Sequence, residues 1–140
     1  MSRILIVDDA PVGREALAKW LQREGFQTMT ARNGAEGLVR LKEAKPDLIL
    51  LDHMMPEVDG LTFLAGIRRF PKWKSIPVIM MTGIHDNAHR MKANTLHVHE
   101  YLVKNEYTPQ ELLAHIRKHI APVTDPLIAA PTTQSIPAAE

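Results

Sequence analysis

The chain has 140 residues, of which 45% are hydrophobic and 24% are charged, a composition typical of one globular domain. Lys plus Arg is 17 against 16 for Asp plus Glu, and this net charge of +1 gives no reason to expect a nucleic acid or a membrane as a direct partner. There is no cysteine, which excludes disulfides and thiolate metal sites. No apolar run approaches the about 18 residues of a membrane span, so we expect a cytoplasmic protein.

Short runs suited to strands alternate with stretches of helical periodicity up to about residue 120. The runs are brief and mostly apolar, whereas the stretches between them repeat apolar residues every three or four positions. The predicted strands, in chain order, are residues 4–7, 26–31, 48–52, 78–81 and 98–103. The predicted helices begin at or just after Pro11, Asn33, Gly60, Asp86 and Thr108.

Proline, glycine and cap residues mark the ends of these helices. Pro11 suits the first turn of the first helix, and Gly25 ends that helix. Asn33 is a favourable N-cap, and the second helix must finish before Lys45-Pro46. The apolar residues expected on the inner faces are Ala16, Leu17, Trp20 and Leu21 in the first helix, Ala35, Leu38, Val39 and Leu41 in the second, Leu61, Leu64 and Ile67 in the third, and Leu112, Leu113, Ile116 and Ile120 in the fifth.

This alternation predicts an α/β fold with a parallel sheet covered by helices on both faces. The continuous apolar run 48–51 suits a strand that is buried on both faces, whereas 26–31 is less apolar and favours a position near an edge. Four of the ten prolines fall within residues 121–140, among Ala and Thr. We therefore predict a domain of residues 1–120 followed by a flexible tail or linker of residues 121–140.

Reactive side chains stand at the carboxyl ends of four predicted strands: Asp8 and Asp9, Asp52, Thr82, and Lys104. The carboxyl ends of parallel strands meet at one edge of the sheet, where α/β folds place their ligands. Three carboxylates at this edge repel one another unless a cation neutralises them, and oxygen ligands favour Mg²⁺. A lysine and a hydroxyl beside a metal suit a phosphoryl group, and an aspartate there can form an aspartyl phosphate.

The chain resembles the response regulator receiver domains of bacterial two-component signalling over about residues 2–120. The resemblance rests on four motifs in family order, namely Val-Asp-Asp at 7–9, Leu-Asp-x-x-Met-Pro at 51–56 with Asp59-Gly60, Met-Thr-Gly at 81–83 and Tyr-Leu-Val-Lys at 101–104. It implies a flavodoxin-like, doubly wound fold of five strand–helix repeats, with a five-stranded parallel sheet in the order 2-1-3-4-5.

The resemblance also implies the role of each site residue. Asp52 is the phosphoacceptor and, with Asp9 and the backbone carbonyl of Met54, a ligand of Mg²⁺, which Asp8 contacts largely through water. Lys104 contacts the phosphoryl oxygens. Thr82 and Tyr101 couple the site to the surface formed by the fourth helix, the fifth strand and the fifth helix.

The partners implied are a sensor histidine kinase or a histidine phosphotransfer protein as phosphoryl donor, and an output protein or fused effector domain. A homodimer could form through the surface of the fourth helix, the fifth strand and the fifth helix. No enzyme activity is expected beyond self-phosphorylation and autodephosphorylation at Asp52. No recognisable DNA-binding or catalytic segment follows residue 120, so the chain is either a stand-alone receiver or a fragment of a longer regulator.

Four positions stand out against the family pattern. Asn105 replaces the proline that usually follows the lysine on a cis peptide bond, so either the loop is trans and Lys104 is repositioned, or packing holds an uncommon isomer. His97 occupies a turn that normally carries glycine and would need a left-handed backbone there. Met54 and Ile84 flank the phosphoryl position and are apolar, so we hypothesise that they shield the acyl phosphate from water.

Other interpretations of these residues compete with this one. Each carboxylate alone could be a helix cap or a loop residue. His85 and His89, with His97 and His99, suggest a zinc site, but no carboxylate–histidine zinc motif is present. A phosphatase of the haloacid dehalogenase type needs a second aspartate where Met54 stands. A receiver-like interaction module that works without phosphorylation is the remaining alternative, favoured by Asn105 and the altered turn before Tyr101.

Overall fold

The computed structural model describes residues 2–52, 60–83, 87–104 and 106–120, with only the backbone described at 87 and 89. In chain order the elements are β1 (Arg3–Val7), α1 (Pro11–Arg23), β2 (Gln27–Ala31), α2 (Gly34–Glu43), β3 (Leu48–Asp52), α3 (Gly60–Ile67), β4 (Val78–Thr82), α4 (Asn87–Thr95), β5 (Glu100–Val103) and α5 (Pro109–His119). The strands form a parallel sheet in the order β2-β1-β3-β4-β5. The predicted strand order is confirmed.

Two clusters of buried residues cover the two faces of the sheet. Alternate residues of each strand point to opposite faces, so Leu5 and Val7 of β1 join one cluster and Ile4 and Ile6 join the other. The first cluster contains residues of α2, α3 and α4, and the second contains residues of α1 and α5. Helices therefore cover both faces, as predicted for a doubly wound fold.

The burial of each strand follows its place in the sheet. Every residue of β3 and β4 is buried, which confirms that run 48–51 forms a central strand. β2 lies at an edge, and it begins with the exposed residue Gln27 and continues with half-buried residues. Its weaker apolar character is thus explained by its position. No helix in the described part of the chain has the length and apolarity needed to cross a membrane.

The helix ends confirm most of the predicted caps. Pro11 is the first residue of α1, and the Asn33 side chain accepts a hydrogen bond of 2.8 Å from the backbone N–H of Glu36. Thr108 and Glu111 form a reciprocal capping box at the start of α5. The predicted inner faces are only partly correct, because the residues found exposed include Ala16, Ala35 and Val39.

The last strand begins at Glu100, so the prediction of a strand from residue 98 was wrong. His97 has a φ of 61°. The N–H of His97 donates to the Asn94 carbonyl and that of Val98 to the Ala93 carbonyl, which together form a Schellman cap on α4. Val98 therefore belongs to the helix cap, and His97 takes the left-handed position that glycine usually occupies.

Arg68 ties this cap to the loop that precedes β4. Its guanidinium donates hydrogen bonds of 2.9 to 3.1 Å to four backbone carbonyls, those of Lys74, Ile76, Leu96 and His97. Burial lowers the pKa of the Arg68 guanidinium from its ordinary value. One side chain thus fixes the end of α4 relative to α3 and β4.

Candidate functional site

Three carboxylates meet at the carboxyl edge of the sheet. Asp52 is the last residue of β3, and Asp8 and Asp9 directly follow β1. One carboxylate oxygen from each residue lies within 4.8 Å of the others. Asp8 and Asp52 are buried, with 7% and 3% exposure, whereas Asp9 is exposed. The structure therefore brings together the three acidic residues that the sequence placed at this edge.

The turn from β1 into α1 fixes the position of Asp8. Its backbone N–H donates to the Ala31 carbonyl of β2, and its side chain accepts a hydrogen bond of 3.0 Å from the N–H of Ala10. The Arg14 guanidinium donates to the Asp8 carbonyl at 2.8 Å. These contacts fix the backbone on both sides of Asp8, and one oxygen of its carboxylate is bonded to the N–H of Ala10, the N-cap residue of α1.

Lys104 supplies a positive charge to this acidic cluster. Its Nζ lies 3.4 Å from Oδ1 of Asp52. Its backbone N–H donates to the Thr82 carbonyl at 2.6 Å, which places the residue at the end of β5 beside the end of β4. Asn105 lies outside the described residues, as does the peptide bond that joins it to Lys104.

Thr82 lies on β4, the strand next to β3, and Tyr101 lies on β5, the strand beyond β4. Thr82 ends β4 and is fully buried. Tyr101 is opposite Met80 in the register of β4 and β5, and its side chain packs against the core cluster on the α4 side of the sheet. The Tyr101 hydroxyl is buried and has no hydrogen-bond partner among the described residues. The Arg90 guanidinium of α4 lies 5.2 Å from the centre of the Tyr101 ring. Tyr101 is therefore in contact with both the sheet and α4.

Tyr107 is a neighbour of the site that the sequence did not reveal. Burial raises the pKa of the Tyr107 phenol above its ordinary value; Lys104 opposes this rise, and the negative charges of Asp8 and Asp52 add to it. Its hydroxyl donates to Sδ of Met81 at 3.5 Å. Tyr107 also lines a groove of about 480 Å³ between α1 and α5 that reaches Lys104. The loop after β5 had no pattern that indicated this proximity.

Met54 and Ile84 lie outside the described residues, and so does His85 of the zinc interpretation. His99, another residue of that interpretation, uses Nδ1 to accept a hydrogen bond of 3.2 Å from the N–H of Val78.

The cluster of Asp8, Asp9 and Asp52 is a suitable site for a cation, since it offers only oxygen ligands, which Mg²⁺ prefers.

Comparison of the sequence with known families and proteins agrees with this geometry. Residues 4–117 match the family model of the response regulator receiver domain. The transcriptional regulatory protein GltR of Pseudomonas aeruginosa is 38% identical over 114 residues, which are 81% of this chain and 47% of GltR. The phosphate regulon transcriptional regulatory protein PhoB of Escherichia coli is 34% identical over 115 residues, 82% of this chain and 50% of PhoB. The chain spans about half the length of the curated relatives it matches.

Solved structures show the same fold. The chemotaxis protein CheY4 of Vibrio cholerae superposes with a TM-score of 0.80 at 28% identity, covering 86% of this chain and 99% of CheY4. The response regulator protein TrrA of Thermotoga maritima, in complex with Mg²⁺ and BeF, gives a TM-score of 0.74 at 34% identity, covering 86% of this chain and all of TrrA. With its strand order, its acidic cluster and the match over residues 4–117, the chain belongs to the response regulator receiver domain family.

Proposed function

We propose that the chain is a phosphorylation-dependent signalling switch in which Asp52 accepts a phosphoryl group. The observation that carries this proposal is the buried Asp52 carboxylate, 3.4 Å from the Lys104 ammonium and grouped with Asp8 and Asp9. A nucleophile, a cation-binding pair of acids and a separate positive charge are the components that phosphoryl transfer to an aspartate requires.

The phosphoryl donor is a phosphorylated histidine of a sensor kinase or phosphotransfer protein. An Asp52 oxygen forms the new P–O bond as the P–N bond to the donor imidazole breaks, and the imidazole keeps the electron pair of that bond and takes up a proton. Bound Mg²⁺ supplies charge neutralisation for the transferred group. Asp8, Asp9 and Asp52 would hold the ion, and the family resemblance adds the backbone carbonyl of Met54 as a further ligand. Lys104 binds the phosphoryl oxygens.

Thr82 and Tyr101 couple phosphorylation of Asp52 to a change at the surface formed by α4, β5 and α5. The buried Thr82 hydroxyl donates to a phosphoryl oxygen, and Tyr101 responds within its contact with α4. The Tyr101 hydroxyl, buried and unpartnered among the described residues, is a polar atom that such a rearrangement can satisfy. The α4-β5-α5 surface, made by the residues of these three elements, is thereby shifted between two arrangements.

The output partner contacts this α4-β5-α5 surface. The curated relatives are longer proteins whose names describe transcriptional regulators. We therefore propose that residues 1–120 act as the receiver of a regulator whose effector is either fused beyond a linker of residues 121–140 or a separate protein. Residues 121–140 lie outside the described part of the chain. A homodimer through the same surface is a further proposal.

Phosphorylation is tested by intact-mass spectrometry of the chain after incubation with acetyl phosphate and Mg²⁺. The wild type gains the mass of one phosphoryl group, and the Asp52→Ala variant gains none. Omission of Mg²⁺ prevents the gain. If the wild type gains no mass although a control receiver in the same tube does, the chain is instead an interaction module that works without phosphorylation.

A further inference from the structure

The loop between β5 and α5 carries Lys104, and its geometry decides where the lysine ammonium lies. The N–H of Lys104 donates to the Thr82 carbonyl at 2.6 Å, and the N–H of Glu106 donates to the Val103 carbonyl at 3.1 Å. The Lys104 side chain is 37% exposed, and a long side chain loses much rotamer freedom when its end is fixed. These backbone contacts alone therefore do not explain why Nζ lies 3.4 Å from Oδ1 of Asp52.

Tyr107 fastens the other end of this loop to the sheet. Its hydroxyl donates to Sδ of Met81 at 3.5 Å, and Met81 is the residue of β4 that lies opposite Asp52 in the register of β3 and β4. The Tyr107 ring packs against the core cluster on the α1 and α5 side of the sheet. The next residue, Thr108, forms the capping box of α5. The loop is thus attached beside the very position that holds the phosphoacceptor.

The Tyr107 phenol shares the electrostatic environment of the site without taking part in proton transfer. Burial raises the pKa of the phenol, the Lys104 ammonium opposes this rise, and the Asp8 and Asp52 carboxylates add to it. With a raised pKa the phenol stays protonated at neutral pH, so its hydroxyl is a permanent donor and not a base. Tyr107 and Lys104 also line the same groove of about 480 Å³. Tyr107 can therefore act on the site only by position.

We propose that Tyr107 is a positioning residue for phosphoryl transfer, which holds the β5–α5 loop so that the Lys104 ammonium meets Asp52 and the incoming phosphoryl group. The residue after Lys104 is asparagine, so no proline ring restrains the backbone there, and the tyrosine side chain supplies the restraint. Tyr107 acts through Lys104 and is not itself a catalytic residue. This inference rests on the proposed function, in which Asp52 accepts the phosphoryl group.

The first test measures the rate of phosphorylation by acetyl phosphate at saturating Mg²⁺. Tyr107→Ala should lower the maximal rate by at least about tenfold and change the half-saturating donor concentration less, because misplacement of a charge by about 1 Å can cost about a hundredfold. Tyr107→Phe keeps the ring and loses the hydroxyl, so its rate should lie between those of the wild type and Tyr107→Ala. Trp20→Leu is the matched control, since Trp20 lines the same groove from α1 and not from the loop. It should react at the wild-type rate.

The second test asks whether Tyr107 acts through Lys104. In the Lys104→Ala background, Tyr107→Ala should slow phosphorylation no further, because the group that it positions is already gone. Urea denaturation without Mg²⁺ gives a readout that needs no phosphorylation. The loss of stability caused by Lys104→Ala should be smaller in Tyr107→Ala than in the wild type, since the lysine is no longer held beside Asp52. Trp20→Leu should leave that loss unchanged.

The outcomes separate this inference from the proposed function. If the wild type gains no phosphoryl group, the proposed function fails, and the stability comparison still decides the role of Tyr107. The inference alone is overturned if the wild type is phosphorylated and Tyr107→Ala reacts as fast, or if Trp20→Leu slows the reaction equally. It is also overturned if the effects of the tyrosine and lysine changes are independent. Circular dichroism shows which variants fold, and if Tyr107→Ala does not, Tyr107→Phe takes its place in every comparison.

Discussion

Nζ of Lys104 lies 3.4 Å from Oδ1 of Asp52, and this pair links the ends of β5 and β3. The two partners differ in environment: the Asp52 side chain is 4% exposed and the Lys104 side chain 37%. The buried carboxylate also has Asp8 and Asp9 within 4.8 Å. The positive charge of Lys104 therefore reduces the electrostatic repulsion among these three carboxylates.

Lys104→Ala is expected to lower the free energy of unfolding by about 1–3 kcal/mol in the absence of Mg²⁺, because it leaves a buried carboxylate without its cation. Adding Mg²⁺ should recover part of the loss, since the ion supplies positive charge to the same carboxylates. Urea denaturation with and without Mg²⁺ measures both effects. The Asp52→Asn background is the control: there the lysine change should cost much less, and an equal cost in both backgrounds would show that the pair is unimportant.

The apolar residues Met54 and Ile84 are proposed to shield the acyl phosphate from water. Replacing both, as Met54→Asn with Ile84→Glu, should shorten the half-life of the phosphorylated chain, because polar side chains admit and orient water at the phosphorus. The decay of phosphorylated protein after removal of the donor gives the half-life. The two single variants serve as controls for each position. An unchanged half-life in the double variant would refute the shielding hypothesis.

Arg68 is predicted to be the main link between the cap of α4 and the loop before β4. Arg68→Ala should reduce the free energy of unfolding by about 2–4 kcal/mol, because four backbone carbonyls lose their donor. Arg68→Lys should recover only part of this loss, since an ammonium cannot reproduce the forked geometry. The exposed neighbour Arg69 offers the matched control, Arg69→Ala. Hydrogen exchange at residues 94–99 should accelerate in the Arg68 variant and not in the control.

Gly37 is required by the close packing of α2 on the sheet. A Cβ atom there would lie 2.9 Å from Cε1 of Phe63, a core residue with 3% exposure. Gly37→Ala should therefore destabilise the chain by about 1–3 kcal/mol. Gly13→Ala in α1 is the control, because its Cβ would meet no atom within 4 Å, and it should stabilise the helix by about 0.5–1 kcal/mol. Thermal unfolding of both variants gives the comparison, which fails if both substitutions change stability in the same direction.

The convergence of the candidate site could be predicted because it follows from chain direction alone. Asp8, Asp52, Thr82 and Lys104 each end a parallel strand or directly follow one, so the fold necessarily brings them to one edge. The start of β5 could not be predicted in the same way. Val98 is β-branched and suits a strand. Because His97 has a left-handed backbone, however, the N–H of Val98 bonds to the last turn of α4, and Val98 becomes part of the cap of that helix.

Tertiary packing also determines two features that the sequence alone did not indicate. His115 and His119 have visible helical spacing, yet Glu100 reaches them only because β5 lies beside α5 in the folded chain. Val39 has the spacing of a core residue, but α2 packs against the sheet through its buried glycines, and Val39 remains 49% exposed. Such features depend on how elements are rotated against one another, which periodicity constrains only loosely.

The central claim is that Asp52, and not Asp8 or Asp9, carries the phosphoryl group. Reduction with borohydride converts an aspartyl phosphate into homoserine, so the modified position can be read by peptide mass spectrometry. After treatment with acetyl phosphate and Mg²⁺, we predict homoserine at position 52 alone. Homoserine at position 8 or 9 with an unmodified Asp52, or no reduced residue in a phosphorylated sample, would contradict the assignment.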